Sequence, residues 1–145
     1  MDERAKSADV RLLAKAQLVD DGDSAERQIE LLLVLQNDKD EPLLVAGMMT
    51  DEVFDITIRT DDGKPAGFTT LGEKRMKPGI PRRKHRTARS ISPHSLMVFR
   101  LNLSRYFDLP PGIYQIGVSV PVRTADSDQH LLIEAPTLRL AHGGS

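Results

Sequence analysis

The densest chemistry in the chain lies in residues 73–89, EKRMKPGIPRRKHRTAR. This stretch holds eight Lys or Arg and one Glu, so it carries +7; the whole chain carries −1, which leaves −8 on the remainder. Guanidinium groups present planar forks of donors that match carboxylate and phosphate oxygens. Pro78 and Pro81 restrict the backbone on one side, and Ser90-Ile91-Ser92-Pro93 tethers it on the other. The expectation is a loop that presents Arg82, Arg83, Lys84, Arg86 and Arg89 to an acidic surface of a partner protein, with Met76 and Ile80 supplying apolar contacts. A polyanion such as a nucleic acid is the alternative ligand, although the stretch has no aromatic residue on which a base could stack. The plainer possibility is a solvated loop whose cations balance an acidic body.

Other reactive side chains are scattered. His85, His94, His130 and His142 do not fall at metal-ligand spacing, so a metal site would need ligands gathered from distant strands. The chain has no Cys, which removes disulfides, thiolate nucleophiles and thiolate metal sites together. The acidic turns Asp20-Asp21-Gly22-Asp23 and Asp126-Ser127-Asp128 could gather oxygens around calcium, but neither matches an EF-hand loop, and Asp is a common turn residue. Ser90, Ser92 and Ser95 neighbour His94 without a Gly-x-Ser-x-Gly elbow. Asp61 and Asp62 sit at a hairpin tip, where solvent would keep a carboxyl from the raised pKa a general acid needs. The expectation is therefore no catalytic residue, no cofactor, no bound metal and no enzymatic activity. The apolar residues 43–49, ending in Met48-Met49, read as a core strand rather than a docking patch.

These residues must be positioned by strands. At 145 residues, with 39% hydrophobic and 28% charged side chains, the chain has room for one folded core. The expected organisation is a frayed segment 1–8, one domain over 9–141 and a tail 142–145. Period-2 alternation marks Val10, Leu12, Ala14, Ala16 and Leu18, then Ile29, Leu31, Leu33 and Leu35. Leu32 and Val34 are apolar as well, which predicts a central strand covered on both faces. Further strands are expected over 53–60, 66–71, 97–103 and 131–140, with Pro136 marking an edge or bulge. No segment has a convincing helical period. No run of eighteen apolar residues could span a membrane. Met1-Asp-Glu-Arg4 is not a signal peptide, so the chain as written reads as cytoplasmic, or as exported if a leader has been removed.

The C-terminal third supplies the clearest fold signal. Leu101 and Leu103 alternate with polar residues, Pro110-Pro111-Gly112 turns the chain, and Tyr114, Ile116, Val118, Val120 and Val122 then share one strand face. A Tyr just past a corner, with an apolar residue two positions on, is the layout of the tyrosine corner. Pro111, Gly112 and Tyr114 are its structural residues, and the Tyr114 hydroxyl is expected to bond backbone near the crossover. Seven or eight short strands with turns between them predict an all-β fold, an antiparallel immunoglobulin-like two-sheet sandwich.

Three segments, LVLQNDKDEPLLV, FDITIRTDDGKP and LPPGIYQIGVSV, together resemble the bacterial intracellular proteinase inhibitor family and related immunoglobulin-like modules. The shared features are an Asn turn after a long apolar strand, a Phe-Asp hairpin closing on Asp-Gly-Lys, and a Pro-Gly-x-Tyr corner. The run from Asn102 to Val120 also resembles the β-sandwich segment that accompanies some secreted zinc endopeptidases, here without a His-Glu-x-x-His motif. The first resemblance implies a second functional alternative, a proteinase inhibitor presenting an exposed loop.

Overall fold

The computed structural model describes residues 9–20, 27–47, 50–76, 88–124 and 131–142. They form a mostly antiparallel β protein. The first sheet has the order β1-β2-β7, from Val10–Asp20, Arg27–Asn37 and Ser95–Asn102. Its inner face is built by the alternation read above: Val10 and Leu12 on β1, Ile29, Leu31, Leu33 and Leu35 on β2, and Phe99 and Leu101 on β7 are all buried. Asn37 ends β2 with no exposure. Its side-chain nitrogen lies within donating distance of the carbonyls of Glu41, Ile91 and Ser92, at 3.0, 3.1 and 3.2 Å, while its oxygen accepts from the Lys39 amide. The Asn turn is thus a buried polar knot joining β2 to the approach to β7.

The second sheet is organised on β9, Gly112–Thr124. One edge of β9 pairs with β4 (Asp55–Thr60) and then β3 (Leu43–Ala46); the other pairs with β11 (Leu138–His142) and then β10 (Leu131–Glu134). Strand β6, Ala88–Ile91, lies beyond β3. Tyr114, Ile116, Val118, Val120 and Val122 are buried along β9 as the alternation requires. The two buried sheet faces meet in one hydrophobic core, where Phe54 and Phe99 make an edge-to-face contact with ring centroids 4.8 Å apart. A two-stranded sheet of β5 (Gly67–Phe68) and β8 (Phe107–Asp108) closes one end.

Several expectations are corrected. The strand placed over 53–60 begins only at Asp55; helix α1, Thr50–Val53, precedes it. The stretch 73–89 is not all loop. Helix α2 covers Thr70–Arg75, and β6 claims Ala88–Ile91. Thr69 caps α2, its hydroxyl accepting from the Gly72 amide at 3.0 Å, with Glu73 in the first turn and Lys74 and Arg75 in the last. The final strand is two, broken around Pro136, which cannot donate to a ladder. Met76 is buried and so is no apolar contact for a partner. Strand β2 is central, but among the described residues only one of its faces is enclosed: Leu32 and Val34 lie half-buried beside exposed Leu13 and Val98.

Candidate functional site

The basic stretch emerges from, and returns to, residues held firmly in the core. On its N-terminal side, Asp51 of α1 is 3% exposed, and three donor atoms converge on it. Arg75 reaches it with Nε to Oδ2 at 3.0 Å and Nη2 to Oδ1 at 2.6 Å, a two-point pairing. The Tyr106 hydroxyl donates to Oδ2 at 2.9 Å. Burial, followed by the accepting carboxylate of Asp51 and its charge, raises the Tyr106 pKa above the ordinary phenol value. A buried carboxylate is tolerable here because both oxygens are paired. Tyr106 belongs to the 3₁₀ turn η1, Leu103–Arg105, as its C-terminal cap, so the cluster ties α1, α2 and the β7–β8 crossover together. Thr69 adds two more bonds, its amide to the Tyr106 carbonyl at 3.0 Å and its hydroxyl to the Arg105 carbonyl.

On the C-terminal side, Arg89 lies on β6 opposite Val45. Its guanidinium carbon stands 5.2 Å from the centre of the Phe99 ring, within cation–π range. Arg89 is thus half-buried, and it links β6 to the inner face of the first sheet. Arg82, Arg83, Lys84 and Arg86 lie outside the described residues, as do Ile80, Asp21, Asp23, Asp126 and Asp128.

The other sequence candidates are dispersed. Leu43 and Val45 are buried, so the described part of the 43–49 segment belongs to the core. His94, at φ 55° in the β6–β7 turn, sits 2.7 Å from Asp40, both side chains being exposed. Among the described residues, no group of three or more His, Asp or Glu could hold a metal ion. No helix among them is long and apolar enough to cross a membrane. The tyrosine-corner geometry is present: Tyr114 is buried and its hydroxyl donates to the Pro110 carbonyl. Pro111 and Gly112 lie beside it on an open groove of about 450 Å³ that also takes in Thr60, Asp61 and Asp62. Asp62 accepts from the Thr60 hydroxyl, and that bond, more than the charge of Lys64, holds its pKa below the usual carboxylate value.

The Asp51–Arg75–Tyr106 cluster was missed by sequence reasoning, since its members are far apart in the chain. A local signal existed for the helix that carries Arg75. Thr70-Leu71-Gly72-Glu73 has capping-box spacing, one residue displaced from the true cap at Thr69.

No family model and no curated protein matches the sequence. Solved structures do share the fold. A Bordetella pertussis protein provisionally named ApaA superposes with a TM-score of 0.61 at 10% identity, over 94% of this chain and 96% of that one. The structural genomics target SoR45 gives 0.60 at 12% identity, over 94% and 88%. The C-terminal domain of wzt gives 0.50 at 18% identity, over 94% and 75%. These similarities establish a shared, mostly antiparallel β architecture that extends over nearly the whole chain.

Proposed function

We propose that the chain is a non-enzymatic, immunoglobulin-like module that binds an acidic protein partner through its basic stretch, residues 73–89. The observation that carries this reading is charge segregation on a fixed stem: +7 in seventeen residues against −8 elsewhere. The stem is the Arg75–Asp51 pair at one end and Arg89 over Phe99 at the other. Arg75 is committed to Asp51, which leaves Arg82, Arg83, Lys84 and Arg86 as the principal contacts, with Arg89 at their base. Two antiparallel sheets around one core, together with the Tyr114–Pro110 bond at the corner, support the immunoglobulin-like assignment.

The test is retention from a native extract, compared between the wild-type chain and a variant with Arg82, Arg83, Lys84 and Arg86 changed to Ser. Arg89 is kept so that its contact with Phe99 survives. The expected result is a protein with an acidic surface, retained after nuclease treatment and released by the variant. Unchanged retention by the variant would remove the stretch as the site. Loss on nuclease treatment, with a steep salt dependence, would favour the polyanion reading. The proteinase-inhibitor reading is favoured by the Asn turn and the Tyr corner that resemble that family. It requires a trypsin-like protease to be inhibited by the chain, and rapid cleavage after Arg82 or Arg83 without inhibition would end it.

A further inference from the structure

The outward face of the β1-β2-β7 sheet has an aliphatic centre that no described part of the chain covers. Its residues stand in directly opposite rows. Leu13, Val34 and Val98 form one row; Lys15, Leu32 and Arg100 form the next; Arg11, Gln36 and Leu96 lie on the other side of the first. Leu13, Leu96 and Val98 are 51%, 53% and 50% exposed, three of the four large hydrophobic side chains that stand out as exposed among the described residues. Single exposed aliphatics are ordinary on any surface, but here three exposed ones and the half-buried Leu32 and Val34 are contiguous across all three strands of a sheet.

We propose that this face binds an acidic protein segment carrying an aliphatic stripe. Charge selects the occupant. Lys15 and Arg100 flank Leu32 within the patch; at its far edge Arg11 stands 4.0 Å from Asp38, which also accepts from Gln36, and Glu30 lies a row away accepting from Gln17 at 3.1 Å. With Arg11 beside Asp38, Lys15 and Arg100 are the cations that face a ligand at the apolar centre. A second copy would bring the same small excess of cation and not the complementary charge. Size argues the same way. Two strand spacings by two two-residue steps give an apolar area of roughly 10 by 14 Å, well short of the ~800 Å² that each partner of a stable dimer commits. A polyanion would neutralise the rim and leave the aliphatic centre wet. One short strand or helix with acidic flanks satisfies both parts. The site uses only β1, β2 and β7, so it does not depend on the basic stretch.

The experiment pans a random peptide library displayed on phage against the full chain. Recovered peptides are then measured against Leu13→Ser/Val98→Ser, Lys15→Glu/Arg100→Glu and the Ser variant at 82, 83, 84 and 86. All four substituted sheet positions point to solvent, and circular dichroism melts confirm that each variant is folded. The proposal expects peptides rich in Asp or Glu and aliphatics. They should bind about tenfold more weakly to each sheet variant and with unchanged affinity to the 82–86 variant. Failure to enrich such peptides overturns it, as does binding to both sheet variants as tight as to the unsubstituted chain. So does binding of phosphatidylserine vesicles that Leu13→Ser/Val98→Ser abolishes, which would make the face a lipid contact. A dimer in sedimentation that the same variant dissolves would make it a contact between copies.

Discussion

The Cα of Gly72 on α2 lies so close to Tyr106 that a β-carbon added there would stand 1.7 Å from the Tyr106 carbonyl oxygen. That oxygen is fixed by the Thr69 amide, and the Tyr106 ring is fixed by Asp51. Gly72→Ala should therefore force α2 away from the crossover instead of being absorbed by a side-chain movement. The expected loss is about 3 kcal/mol, read as a lowered urea midpoint. A variant within 0.5 kcal/mol of wild type, the ordinary scatter of a surface substitution, would contradict the packing described.

Both tyrosines of the chain are held neutral in the folded state. Tyr106 is raised by burial and by Asp51; Tyr114 is raised by burial and by the charge of Asp108. A raised pKa means that the native state keeps a proton the unfolded chain has released. The stabilisation is complete below the unfolded phenol pKa of about 10 and is lost as pH climbs through the folded value. Stability should thus fall in the alkaline range, in step with the appearance of tyrosinate absorbance. Tyr106→Phe/Tyr114→Phe should flatten that fall while lowering stability at neutral pH, by about 1–2 kcal/mol for each hydroxyl removed. An alkaline unfolding profile unaltered in the double variant would assign the transition to other groups.

Asn37 has no exposure and serves two strands and a turn. In Asn37→Asp the donor nitrogen becomes an acceptor facing the carbonyls of Glu41, Ile91 and Ser92. This places a buried charge against three oxygens, and the expected cost is about 3 kcal/mol or more. Only the Lys39 amide donates to this side chain, and the new oxygen faces carbonyls, so the acid is easier to bury protonated; the variant should recover stability as pH falls, the reverse of an ordinary salt-bridged carboxylate. A pH-independent loss would show that solvent reaches the site.

Legibility in the sequence followed the range of the interactions. The inner faces of β1, β2 and β9 could be read because one buried side imposes strict alternation, and the Tyr114 corner because its bond spans four residues. The break at Pro136 could be anticipated from the missing amide, although not its division of one strand into β10 and β11. Helix α2 escaped notice because six residues show no period; its identity comes from the Thr69 cap and from contacts with Tyr106. The open side of β2 was misread for a related reason. Leu32 and Val34 look the same in sequence whether another layer covers them or only solvent does, and the difference rests on which strands lie over the sheet. The basic stretch was visible as charge, but the pairing of Arg75 with Asp51 is a long-range fact that composition cannot encode.

The arrangement around β9 also governs how the chain can be divided. Four strands, two from before it and two from after it, use β9 as their ladder partner. Strand β4 pairs with no other named strand, so a nascent chain still lacking 112–124 has nowhere to seat it, whereas β1 and β2 can close as a hairpin early. Seating of β4 is accordingly deferred until β9 has been made. Pulsed hydrogen exchange on the refolding chain should find β4 amides protected no sooner than those of β9. Simultaneous protection of β4 and the β1–β2 hairpin, ahead of β9, would rule that order out.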